Sequence, residues 1–163
     1  MTLRPFDRAG QRGFTLMELV VTLALLGLVA LLAAPLAELS FKRAQEQALR
    51  VALREIRGAL DQYRAAAEQG LIERKVGDSG YPPELEILAS GVRNQKSAGH
   101  EPIYFLRRIP RDPFASPQTA PAAGWGLRSY ASPADSPAAG ADVFDVYSQS
   151  SATGLDGRPY REW

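Results

Sequence analysis

The chain has 163 residues and a formal net charge of +1, with 19 Lys and Arg against 18 Asp and Glu, one His and no Cys. That length suits one domain plus an appendage, and the balanced charge lacks the basic surplus that would point to a nucleic-acid partner. Without a thiol there is no disulfide, cysteine nucleophile, iron–sulfur cluster or Cys/His zinc site, and the single His100, in the loop-like "SAGHEP", reads as a solvated residue before it reads as a general base.

Residues 1–13 carry Arg4, Arg8 and Arg12 against Asp7, and from Leu19 to Ala37 no side chain is charged. At about 1.5 Å per residue that run is close to a bilayer's span. Arginines on its leading side predict a cytoplasmic amino terminus and export of everything after residue 40. A cleaved secretory signal would end in a small-residue site. "LLAAPLAELSF" offers a cut after residue 34, but Pro35 interrupts it and the helical pattern runs on. A plain uncleaved anchor fits the apolar run and the charge bias, yet leaves Glu18 unexplained. A carboxylate costs up to about 2.5–3.5 kcal/mol at the bilayer centre and less near its edge, where it could also snorkel to the interface.

The residues Gly13, Phe14, Thr15, Leu16, Met17 and Glu18, with a basic leader before them and a long apolar run after, resemble the processing motif of the type IV pilins and type II secretion pseudopilins. The resemblance implies that a prepilin peptidase cuts between Gly13 and Phe14 on the cytoplasmic side and methylates the new amine of Phe14. It further implies that the apolar helix is kept, and that Glu18 sets axial register during assembly. Such a cut would leave a cationic amine one helical turn from Glu18, in a setting where opposite charges attract far more strongly than in water.

Beyond the apolar run, Leu49, Ala52/Leu53, Ile56, Leu60, Tyr63 and Ala67 recur at the spacing of one helix face. Arg50, Arg54, Glu55, Arg57, Asp61 and Arg64 lie on the other, so this half is amphipathic. The apolar stripe predicts a seam on which a carboxy-terminal sheet packs. From Phe14 to Gln69, with Gly70 as a cap, the helix would approach about 80–85 Å. Gly27 and Pro35 interrupt its first half, and Pro35 is expected to kink or open the preceding turn.

After Gly70 the composition turns to Pro, Gly, Ser and Ala. "GYPPELEILASG" predicts a turn and a short helix near Glu84 to Ala89, and "PIYFLRRIPRDPF" a short extended or turn-rich stretch. "WGLRSYA" and "DVFDVYSQ" have strand composition, with a third short strand in "GRPYREW". So few strands must lean on the helix. The expected fold is α+β: a long amino-terminal helix, part membrane and part amphipathic, against a small antiparallel sheet with long loops. The expected divisions are a cleaved leader at 1–13, a transmembrane and polymerisation helix at 14–38, an amphipathic periplasmic helix at 39–70 and a head at 71–163.

The order of "YPPELEIL", "YFLRRIPRDPF", "WGLRSY" and "DVFDVYSQSSATGLDGRPYREW" is similar to that in the major pseudopilin branch. Typical members of that branch follow their Tyr-Ser strand with an aspartate-rich loop that holds Ca²⁺, an ion that wants six to eight oxygens. This chain departs from that pattern. It offers Asp156 and Glu162 beside Arg158 and Arg161, with oxygens from residues such as Ser148 and Thr153, which is a poor cation cage. A tight turn at Asp156-Gly157, a neighbouring Arg pair and Trp163 packed as a lid are expected instead.

The resemblance implies a structural subunit and no enzyme: a single-pass inner-membrane protein with a periplasmic head. It would polymerise with other pseudopilins on an inner-membrane assembly platform and drive protein export across the outer membrane. A type IV pilus or minor pilin-like subunit is the alternative within the class. From outside the class, a membrane-anchored enzyme or binding module would draw its acid/base pair from Asp112, Asp142, Asp145 and Asp156, which show no catalytic spacing.

Overall fold

A computed structural model describes residues 13–75 and 77–163 of the chain. Residues 1–12 of the expected leader, with its arginines, lie outside the described residues. Helix α1 spans Leu16–Glu68, and the chain divides into two compact units between Phe41 and Lys42.

In the first unit, large apolar side chains stand exposed on every side of α1, from Leu16, Leu19 and Val20 through Leu26 and Val29 to Leu36. A helix that is apolar all round has no water-facing side to offer, and lipid is the solvent that suits it. Its two hydroxyls are satisfied inside the helix, Thr22 Oγ1 donating to the Leu19 carbonyl and Ser40 Oγ to that of Leu36, each at 2.9 Å. That is what a hydrocarbon environment demands of a polar group. α1 stays helical through Pro35, whose missing N–H leaves the carbonyl of Leu31 without its usual donor.

In the second unit the stripe becomes the core. Leu49, Ala52, Leu53, Ile56, Ala59, Leu60, Tyr63, Ala66 and Ala67 are all buried, packed with Ile72, Leu85, Leu88, Trp125, Val146 and Tyr160 from the rest of the unit. The helix ends as its last residues dictate. Gly70 takes φ +66°, its N–H bonds to the Ala67 carbonyl at 3.0 Å and that of Leu71 to the Ala66 carbonyl at 2.9 Å. This pair closes the final turn and needs a left-handed residue that glycine supplies without strain.

After the helix come α2 (Ile87–Ser90), β1 (Val92–Arg93), β2 (Pro102–Ile103), a 3-10 turn (Ala122–Gly124), β3 (Trp125–Arg128), β4 (Asp145–Ser148) and a second 3-10 turn (Tyr160–Glu162). Two antiparallel ladders form, β1 with β2 and β3 with β4, the second pairing Trp125 with Ser148 and Arg128 with Asp145. The short helix expected near Glu84–Ala89 is thus placed slightly later. The third strand expected in "GRPYREW" is a correction: one bridge joins Thr153 to Pro159, and the chain then turns as a 3-10 helix. Pro159 has no N–H to continue a ladder, and Tyr160 is fully buried where the turn aims it.

The "IPRDPF" stretch is a structural joint. Asp112, nearly fully buried, accepts the Ser148 hydroxyl at 2.6 Å and the Phe114 N–H at 2.8 Å, while the Trp125 indole donates to the Pro110 carbonyl at 2.9 Å. One loop thereby fastens the ends of β3 and β4.

Candidate functional site

At the front of α1, Thr15 is the capping residue. Its hydroxyl accepts the Glu18 N–H at 3.2 Å and its carbonyl the Leu19 N–H at 3.2 Å. Thr15-x-x-Glu18 is the spacing of a capping box, and the structure contains its hydroxyl half. Thr15 enters the sequence reading only as part of the processing motif; its capping role was there to read in the spacing to Glu18. Glu18 lies in the first helical turn, where the exposed N–H groups and the helix dipole favour a negative charge. Phe14 is exposed, as are Leu16 and Met17, and among the described residues a side chain at Gly13 would meet nothing within 4 Å. Gly13, Phe14 and Glu18 therefore sit together at an open helix entrance, with Pro35 further along the same helix.

At the other end of the chain, the Asp156-Gly157 turn forms as expected, Gly157 at φ +81° with its N–H on the Gly154 carbonyl at 3.1 Å. Only one arginine of the expected pair joins it. Arg158 holds Asp156 through Nε at 3.1 Å, Nη2 at 3.0 Å and its backbone N–H at 3.0 Å, which keeps that carboxyl below the usual range, whereas Arg161 is exposed. Trp163 does act as a lid. Its ring lies edge-on to Tyr160 at 5.0 Å and under the Arg50 guanidinium at 4.4 Å. It covers Gly154 so closely that a Cβ there would come within 2.5 Å of the indole.

A calcium ion does not suit these donors. Among the described residues no three Asp, Glu or His side chains gather as a metal set. Asp156 is already engaged by Arg158, and Glu162 is exposed.

The candidate acid/base residues are each held by a structural partner. Asp112 carries the joint described above, Asp145 accepts Arg57 Nε at 2.7 Å, and Asp156 has Arg158. Asp142 accepts Ser129 Oγ and the Tyr130 N–H, both at 2.8 Å. Burial pushes its carboxyl up, but the hydroxyls of Ser79 and Ser129 and the Tyr130 N–H together outweigh this and lower it. His100 is exposed, with Nδ1 3.2 Å from the Asn94 carbonyl.

A depressed carboxyl contributes stability above its unfolded value and loses it as pH falls through the folded one. Thermal unfolding followed from neutrality down to about pH 3 should therefore show Asp142→Asn losing less Tm on acidification than the parent chain. Parallel pH profiles would count against this role.

A family profile described as the prokaryotic N-terminal methylation motif matches residues 8–34. The chain is 32% identical over 110 residues to the type II secretion system core protein G of Klebsiella pneumoniae, a match covering 65% of this chain and 71% of that one. The chain belongs to the type II secretion core protein G family. No solved structure matches it significantly. Membership agrees with the α+β head packed on a long helix, and with the open helix entrance at Phe14 and Glu18. The family's pseudopilins are structural subunits anchored in the inner membrane by one apolar helix, as the first unit of α1 allows here.

Proposed function

We propose that this chain is a structural subunit of a type II secretion pseudopilus, anchored and polymerised through α1. The observation that carries the reading is a methylation motif and a secretion-protein relative meeting in one chain whose apolar helix is exposed on every side. In this reading a prepilin peptidase removes residues 1–13 and methylates Phe14. The amine so created, on the same or a neighbouring subunit, becomes the partner of Glu18, and Pro35 lets α1 adjust locally as it packs. The head lies on the periplasmic side, and an inner-membrane platform adds subunits. In this reading the subunit's role is structural, and the four carboxylates weighed as acids or bases each take part in a contact that holds the head together.

Mass spectrometry of the membrane-extracted protein should find an N-methylated Phe14 at its amino terminus. An intact Met1 start, or a cut after residue 34, would remove the reading.

A further inference from the structure

The segment after β4 packs onto α1 through a row of helix side chains that lie on one face, Lys42, Glu46, Arg50 and Arg57. Lys42 Nζ donates to the Thr153 carbonyl at 2.9 Å. Arg57 Nη2 donates to the main-chain oxygens of Val146 at 3.2 Å and Trp163 at 2.8 Å, and Arg50 stacks on the Trp163 ring. Between these cations sits Glu46, only 7% exposed. Its Oε1 accepts the Leu155 N–H at 2.7 Å and the Tyr160 hydroxyl at 3.1 Å. Tyr160 is itself fully buried and stacked on Phe114 at 4.2 Å, and burial, then Glu46, pushes its hydroxyl up to about 12.

The chemistry is the inverse of a calcium loop. A calcium site gathers carboxylates and carbonyls around a diffusible cation. Here the carbonyls face cationic groups that are covalently part of the helix, and the buried carboxylate faces an N–H and an O–H donor. The two donors that reach Glu46 are what make the burial of this carboxyl group tolerable. A metal ion entering this place would meet ammonium and guanidinium groups where it needs free oxygens.

We propose that in this chain the α1 side chains replace the calcium ion: Lys42, Glu46 and Arg57 order the Ser148–Trp163 segment, which folds and holds without a divalent cation. The comparison with calcium-holding relatives rests on the pseudopilin reading, whereas the contacts themselves do not. Ordering of the segment therefore depends on a residue of the helix, Glu46, and not on the calcium concentration outside the inner membrane.

The test uses the full chain in detergent micelles, with unfolding followed by tryptophan fluorescence in calcium chloride and in EGTA. Both buffers should give the same Tm. A specific site at a hundredfold excess of ion over its Kd would raise Tm by several degrees, and such a rise would overturn the proposal. Glu46→Ala should lower Tm equally in both buffers and speed amide hydrogen exchange at Leu155, with Glu46→Gln in between because it keeps an acceptor oxygen. An unchanged Tm and unchanged Leu155 exchange in Glu46→Ala would also overturn it. If Glu46→Ala fails to fold, Lys42→Met is read in its place: faster exchange in the segment supports the brace, and unchanged exchange rejects it. No readout needs a filament, so an unprocessed Phe14 would sink the pseudopilus reading alone, and a calcium-dependent Tm would sink this proposal alone.

Discussion

Replacing Glu18 by valine should leave the chain inserted in the membrane and exclude it from filaments. Insertion is spared because removing a carboxylate from the front of an apolar helix lowers the transfer cost, which reaches about 2.5–3.5 kcal/mol at the bilayer centre. Thr15 still caps the first turn through its own hydroxyl. In the proposed reading assembly is lost because no other carboxylate lies between Phe14 and Glu38 to receive the amine that processing would create. Membrane fractionation reports the first outcome, and recovery of the variant in sheared filaments reports the second. Normal recovery would remove the role assigned to Glu18. Glu18→Gln separates charge from capping, since glutamine also serves at this capping-box position but cannot pair with a cation. A glutamine variant that assembles would make Glu18 a helix cap and not an ionic partner.

Ile56→Ala should be among the costliest of the single truncations on the α1 stripe. Its side chain is fully buried among core residues of the second unit, and such deletions typically cost about 2–5 kcal/mol because the site collapses only in part. For a unit of this size the fall in Tm should be on the order of ten degrees. Val51→Ala on the same helix is the control. Val51 is 45% exposed, so its truncation should stay within about 0.5 kcal/mol. Equal effects at the two positions would mean that the stripe is not the core. Thermal unfolding of both variants in the same detergent decides it.

The helix was legible because its signals are local and repeated. Periodicity placed Leu49, Ile56, Leu60 and Tyr63 on the buried face, and Gly70 marked the stop that its left-handed backbone supplies. The pseudopilin motif named Gly13, Phe14 and Glu18 because it is a contiguous string, and the methylation-motif profile spans them. The strands were only half legible. "WGLRSYA" and "DVFDVYSQ" contain β3 and β4, but a two-residue ladder such as β1 with β2 is too short to write a pattern of its own. Glu46 and Lys42 were invisible for a different reason. On a helical wheel they are ordinary charges, and periodicity tells which face a residue occupies without telling what will cover it.

That separation along the chain has a consequence for biogenesis. The donors that satisfy Glu46 lie 109 and 114 residues further on, and contacts so distant in sequence close late in folding. Until Leu155 and Tyr160 arrive, Glu46 stays hydrated on the open helix face, so its desolvation and its two hydrogen bonds come together when the segment docks. A chain still lacking those residues therefore leaves this face of α1 open to water, with Glu46 short of these two donors. The helix face around Glu46 is thus completed only by residues more than a hundred positions further along the chain.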